Sequence, residues 1–186
     1  MELMEAIEKR RAVRDYSDSP VDQPTIERLI QAAILAPSAM NLQPWAFAAL
    51  IGREPIDQLA GRIKIWLLAN FADTYSPTIR TMIEDPKYAV FHHATALVMV
   101  LAKSSESQAF EDSCLAAENL MLAARDGGIG SCWVGFSRPW LNLPDIKREL
   151  GLPEKYHVVA PIVLGYPKEW PMSHGRNAPE IHWLNL

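Results

Sequence analysis

The sequence predicts a domain in which helices and strands interleave. Three observations carry that reading. Ile26, Leu29, Ile30, Ala33 and Ile34 recur at the i, i+3, i+4, i+7, i+8 spacing of a single helical stripe. The apolar runs 45–51, 91–101 and 157–164 are short and suited to buried strands. The chain has 186 residues, of which 49% are hydrophobic, enough for a real core, and one domain over 1–186 is expected.

Composition narrows the function classes. Net charge is −4 and charged residues make up 22%, so no bulk positive field is offered to nucleic acid or to an anionic membrane. No apolar run is long enough to span a bilayer, and residues 1–11 lack the apolar centre of a signal peptide. Two cysteines, Cys114 and Cys132, fit neither a disulfide framework nor a zinc knuckle. A reducing cytoplasm is the expected setting.

Taken in order, residues 2–14 are expected as a helix with Leu3, Met4 and Ile7 on its apolar side. It ends in Lys9, Arg10, Arg11 and Arg14. On a helix that persists this far, Arg10 and Arg14 share a face. Glu5, Glu8 and Asp15 can neutralise the cluster as a solvated patch; a ligand phosphate can do the same. A second helix starts at Asp22 or Gln23, has Pro24 in its first turn, and stops at Ala36 before Pro37. The strand 45–51 follows. A third helix runs from Glu54 to about Ala69, with Ile56, Leu59, Ile63 and Leu67 on one face. Residues 70–88 are weakly periodic and hold Phe71, Tyr75 and Tyr88. Such an excursion forms a lid or substrate wall, or else a peripheral helix and loop.

The run 91–101 reads as a central buried strand. His92 and His93 precede it. Neighbours in a strand point to opposite faces, so the pair makes a poor chelate and is read as structural. Residues 111–126 form a long helix with little charge after Glu118, expected to be buried on most sides. Gly127 and Gly128 end it, and 129–136 is a turn with a short strand. Asn142 and Pro144 start a helix that runs through Leu150, and Gly151 ends it; 157–164 is another core strand. The tail 165–186 is apolar yet irregular, which suits a segment pinned against another surface, such as a second subunit.

The chemistry-bearing stretch is 36–47, Ala-Pro-Ser-Ala-Met-Asn-Leu-Gln-Pro-Trp-Ala-Phe. Pro37 and Pro44 fix φ and push their predecessors towards extended geometry. So stiff a loop can hold Ser38, Asn41 and Gln43 in place, for its own backbone or for a ligand. The glycines near 128 follow a helix and precede a strand, the wrong order for a Rossmann fingerprint, and no P-loop occurs. A nicotinamide nucleotide, if used, therefore visits as a substrate. There is no Gly-x-Ser-x-Gly elbow, no Glu-x-x-His or His-x-x-x-His pattern, and Cys132 reads as a buried, inert thiol. What remains is a basic cluster, a Pro-stiffened polar loop, a Gly turn with free amides, and Arg176 in Ser-His-Gly-Arg. Together they suit a phosphorylated, planar, hydrogen-bonding ligand, since arginine grips phosphate through a bidentate fork.

The segments Lys9-Arg-Arg-Ala-Val-Arg-Asp-Tyr16, Pro20-Val21, the 36–47 loop, Ala123-Ala-Arg-Asp-Gly-Gly-Ile-Gly-Ser-Cys-Trp-Val-Gly135 and Leu164-Gly-Tyr-Pro167 resemble the nitroreductase family of FMN-dependent oxidoreductases. The resemblance covers nearly the whole chain. It implies an α+β fold: a central, mostly antiparallel sheet wrapped by helices, in an intertwined homodimer with FMN at the interface. It implies hydride transfer from NADH or NADPH to FMN N5, then reduction of a nitroaromatic, quinone or enone in the same pocket. Arg10 would grip the phosphate, Arg11 the phosphate or ribityl end, and Arg14 the flavin N1/O2 edge. Pro37, Ser38, Ala39, Asn41 and Gln43 would reach the FMN of the partner chain. Ile129 and Gly130 would present backbone to the ring, and His174 and Arg176 would complete the phosphate clamp. Two positions depart from the family pattern: Ala12 stands where Ser is common, and His174 where a fixed cation is common. Two other readings stay open on this scaffold: dehalogenation or flavin-consuming chemistry, and a flavin sensor without turnover.

Overall fold

Asp22 shows how a local signal becomes structure. Its carboxylate accepts the Thr25 amide at 2.9 Å and caps helix α2 (Gln23–Ala33), with Pro24 in the first turn. The computed structural model of the chain describes residues 1–71 and 76–184, with the side chain of Phe71 left aside. Tyr75 and part of the 70–88 excursion therefore lie outside the described residues. The helix ends three residues before the expected Ala36. Leu35 N donates to Ala32 O and Ala36 N to Ala33 O, so the last turn tightens to i→i−3 bonding and stops.

The elements around it are α1 (Leu3–Lys9), β1 (Trp45–Ile51), α3 (Arg53–Phe71), α4 (Pro77–Glu84), β2 (Ala96–Ala102), α5 (Ser107–Asp126), β3 (Gly130–Trp133), α6 (Arg138–Leu141), α7 (Pro144–Glu149) and β4 (His157–Gly165). The strands form one sheet in the order β1-β2-β4-β3, every pair antiparallel. This is the α+β architecture expected. β2 is buried along its whole length and divides its side chains by the period of two. Leu97, Met99 and Leu101 join Ile56, Ile63 and Leu67 of α3 on one face. Ala96, Val98 and Val100 meet Ala116, Ala117 and Leu120 of α5 on the other, where α2 also packs. A bulge opposite Val100 and Leu101 leaves Val159 out of register. Among the described residues no helix is long and apolar enough to cross a membrane.

Three expectations are corrected. The first helix ends at Lys9, so Arg10 and Arg14 share no helical face. The reason is tertiary: Val13 N donates to Ser131 O at 3.0 Å, Ala12 bridges Ser131, and Tyr16 bridges Pro167. Burying Val13 and Tyr16 against the sheet edge outweighs one more helical turn. The central strand begins at Ala96, later than expected. His92 and His93 lie in a turn, each with positive φ (53° and 54°), and do not alternate across a strand. The Gly turn after α5 has no free amides at its start: Gly127, Gly128 and Ile129 donate to Ala123 O, Arg125 O and Ala124 O.

Candidate active site

The site begins with the extended segment 10–17. Val13 and Tyr16 sink into the core, 1% and 3% exposed, and the exposed Arg14 between them is aimed outward. The Tyr16 hydroxyl donates to Val13 O at 2.6 Å, which ties the two anchors together. Two glycines let this segment approach the sheet. A Cβ on Gly130 would stand 2.8 Å from Val13, and one on Gly165 would stand 2.6 Å from the Tyr16 ring.

Arg14 lines a cavity of about 520 Å³ with Met82, Tyr88, His92, Trp133 and Phe136. The rings of Tyr88, His92, Trp133 and Phe136 share its wall with Cys132, Val134, Gly135 and the Arg14 side chain. His92 meets Tyr88 edge-on, ring centroids 6.1 Å apart. Burial first, then the charge of Arg14, lowers the His92 pKa to about 4, so its imidazole is neutral near pH 7. Burial likewise raises the pKa of the Cys132 thiol, which keeps it protonated as expected. Sequence reasoning missed His92, Trp133 and Phe136 as cavity residues. Met82 and Tyr88 come from the 70–88 excursion, whose described part does form a wall.

A region of mixed charge continues from Arg14. Arg11, Arg14 and His174 line a recess of about 300 Å³ together with Asp15 and Glu169; Arg11, Lys9 and Arg176 line another of about 520 Å³ together with Glu8. Arg11 therefore joins the N-terminal cluster to the tail. Its Nη1 donates to Glu8 O at 2.6 Å and to Arg10 O at 2.7 Å, while its Nε is buried without a partner. Arg176 donates to Gly175 O at 2.7 Å. Both guanidiniums thus rest on carbonyls of their own chain, with charge to spare for an anion. Arg10 differs, since its Nε pairs with Glu118 at 3.3 Å. The otherwise exposed tail is held where Arg125 stacks 3.5 Å above the Trp170 ring.

The polar loop stands apart from these cations. Ser38 Oγ accepts from Gln43 N, and Asn41 Oδ1 from Gln43 Nε2, each at 3.0 Å. Met40, Asn41 and Gln43 all have positive φ, a conformation non-glycine residues hold only when their surroundings enforce it. The buried carboxylate of Asp112 supplies part of that, accepting from Ala39 N at 3.2 and 3.3 Å. Sequence reasoning missed Asp112; a lone acid on an Ala-rich helix face was its only signal. Pro37, Ser38, Ala39, Asn41 and Gln43 do not line the arginine cavities described, and Leu35, Met40 and Leu42 beside them are 80%, 92% and 66% exposed. Ile129 and Gly130 lie buried behind the Arg14 segment.

A helix-flanked antiparallel sheet with an aromatic cavity that runs into a row of arginines defines a ligand-binding enzyme scaffold, and the comparisons identify it. The model of the nitroreductase family matches residues 7–166. A protein of Archaeoglobus fulgidus, provisionally named an NADH dehydrogenase/NAD(P)H nitroreductase, is 33% identical over 168 residues, 90% of this chain and 87% of its own. A 5,6-dimethylbenzimidazole synthase of Rhodospirillum rubrum is 30% identical over 86% of this chain and 79% of its own. The crystal structure of a nitroreductase of Bacteroides fragilis with bound FMN is 28% identical, superposes with a TM-score of 0.82, and covers 100% of both chains. The chain belongs to the nitroreductase family and is an oxidoreductase.

Proposed function

We propose that the chain is an FMN-dependent NAD(P)H oxidoreductase that reduces a nitroaromatic, a quinone or a related small oxidant by ping-pong turnover. The observation that carries this reading is the orphaned Nε of Arg11, set between two recesses that also hold His174 and Arg176. A phosphate there would satisfy a buried donor and neutralise guanidiniums that now rest only on backbone carbonyls. FMN supplies a ring that accepts hydride at N5 from NADH or NADPH and passes the electrons to an acceptor.

The residues of the chain do the rest. Arg11 and Arg176 hold the phosphate; Arg10 joins them by leaving Glu118, and His174 adds a donor whose charge depends on pH. Arg14 faces the N1/O2 edge, where a cation favours negative charge on the ring. Met82, Tyr88, Trp133 and Phe136 wall the cavity and limit water. Ile129 and Gly130 would present backbone to the ring. Pro37, Ser38, Ala39, Asn41 and Gln43 serve the FMN of a partner chain in a homodimer. The exposed apolar side chains of Leu35, Met40 and Leu42, and separately those of Leu3 and Met4 on α1, suit an interface. Residues 1–186 act as one FMN-binding unit, and the free thiols of Cys114 and Cys132 suit the cytoplasm.

The test is the visible spectrum of the purified protein, taken anaerobically before and after NADH or NADPH. Flavin absorbance that bleaches with either nucleotide and returns with a nitroarene or quinone is expected. Failure to take up FMN would overturn the proposal. Bound flavin that neither nucleotide bleaches would indicate a sensor or another electron donor.

A further inference from the structure

Beside the aromatic cavity lies a second, polar recess of about 370 Å³ that shares Arg14, Tyr88 and His92 with it. We propose that this recess is an anion-recognition annex, which selects substrates carrying a carboxylate or a phosphate; the inference rests on the flavin reading above.

Charge bookkeeping within the recess supports it. Arg14, Arg53, Lys87 and Lys168 line it, and its carboxylates are those of Asp15 and Asp18. Asp15 pairs with Lys168 at 2.8 Å, and Asp18 pairs with Arg53. Both acids of the recess are thereby spent, and Lys87 remains as the surplus cation, while Arg14 at the border is shared with the flavin edge. Arg53 is further held by the carbonyls of His93 and Ser17 at 2.9 and 2.8 Å, so it braces the floor and does not compete for the ligand. The two histidines do not reverse the balance: His92 is neutral near pH 7, and His93 Nδ1 turns away to Asp57 at 2.9 Å. Lys87 is exposed at the rim, where it can follow an incoming anion, while Arg14 stands at the boundary with the aromatic cavity. A flat substrate in that cavity would place an attached anionic group in the annex. Two substrate sources offer such a group: the 2′-phosphate of NADPH, and a carboxylate on the acceptor.

The experiment uses FMN-loaded wild type, Lys87→Gln, Lys87→Glu and Lys168→Gln. Steady-state kcat/KM is measured for the neutral/anionic pair nitrobenzene/4-nitrobenzoate, and for NADH against NADPH, which share the diphosphate and differ by the 2′-phosphate. Removing one exposed cation should lower the ratio of the more anionic to the less anionic substrate about two- to five-fold. Reversing its charge should lower it roughly four- to twenty-fold, chiefly through KM. Lys168→Gln should act in the same direction, because it frees the Asp15 carboxylate. All these effects should shrink at 1 M salt. A ratio that moves only for the nitroarenes assigns the annex to the acceptor, and one that moves only for the nucleotides assigns it to the 2′-phosphate of the donor. If both ratios stay within two-fold of wild type in Lys87→Glu while the flavin is bound and turns over, the annex is wrong and the flavin reading stands. If the wild-type protein binds no FMN, both fall together.

Discussion

The ring of Tyr16 fills the space that a side chain on Gly165 would need, with Cδ1 only 2.6 Å from a Cβ built there. That contact closes the N-terminal segment onto the end of β4 and sets where Arg14 points. Gly165→Ala should force the ring aside and destabilise the fold by about 1–3 kcal/mol. Urea denaturation would read the loss, and FMN affinity should fall with it. A variant as stable as wild type would show that Tyr16 can move freely, and that it does not fix Arg14.

Arg11 and Arg176 meet at one recess from opposite ends of the chain. Arg11→Ala and Arg176→Ala should each weaken FMN binding by about 1.5–3 kcal/mol, the worth of a charge-assisted contact. Fluorescence titration measures this directly. Arg10→Ala should also weaken binding, and unchanged affinity there would leave Arg10 with its structural pairing to Glu118 alone.

Trp170 acts on the recess of Arg11 and Arg176 only indirectly. Its stack beneath Arg125 anchors the tail that carries His174 and Arg176. Trp170→Ala should cost about 0.5–2 kcal/mol of FMN affinity. Trp170→Phe should recover part of it. Equal affinity in all three proteins would mean that the tail needs no such anchor.

His92 predicts a pH dependence of stability. Its pKa is lowered to about 4 in the folded protein, against about 6.5 for a free histidine. Between these values the unfolded chain binds a proton that the folded one does not. Stability is therefore full above pH 6.5 and declines as pH falls towards 4. With the imidazole partly exposed, the loss should be on the order of 1–2 kcal/mol. Urea midpoints at pH 7.5 and 5 should separate more in wild type than in His92→Gln. Equal separations would indicate that the imidazole charges without penalty.

The exposed loop predicts the assembly. Met40→Asp combined with Leu42→Asp should leave the monomer fold intact, because both side chains already face outward. Sedimentation should show a lower mass than wild type, and FMN affinity should fall. A double variant with unaltered mass would remove this loop from the interface.

Much of the fold was legible in local pattern. The Asp22 cap, the 26–34 stripe and the strand Trp45–Ile51 are set by neighbours a few residues apart, where spacing carries the information. The arginine motif and the Pro-stiffened loop were visible as residue types. Their geometry was not: the helix at the N-terminus stops at Lys9 only because Ser131 and Pro167, more than 100 residues away, offer it a sheet edge. His92 looked structural beside a strand, and became a cavity wall only when a turn with positive φ swung it towards Arg14.

The sequence by itself determined which groups the protein can use: arginines able to grip a phosphate, a stiff polar loop, aromatic runs and enough apolar residues for a core. Tertiary structure alone decided which of them meet. It brought Arg11 to Arg176, matched Tyr16 to Gly165, joined the cationic recess to the aromatic cavity through Arg14, and left Met40 and Leu42 in the open. The physical reason is that residue chemistry and helical or strand periodicity are local properties. A site is a coincidence of distant segments, selected by the burial of side chains such as Val13 and Tyr16 that carry none of its chemistry.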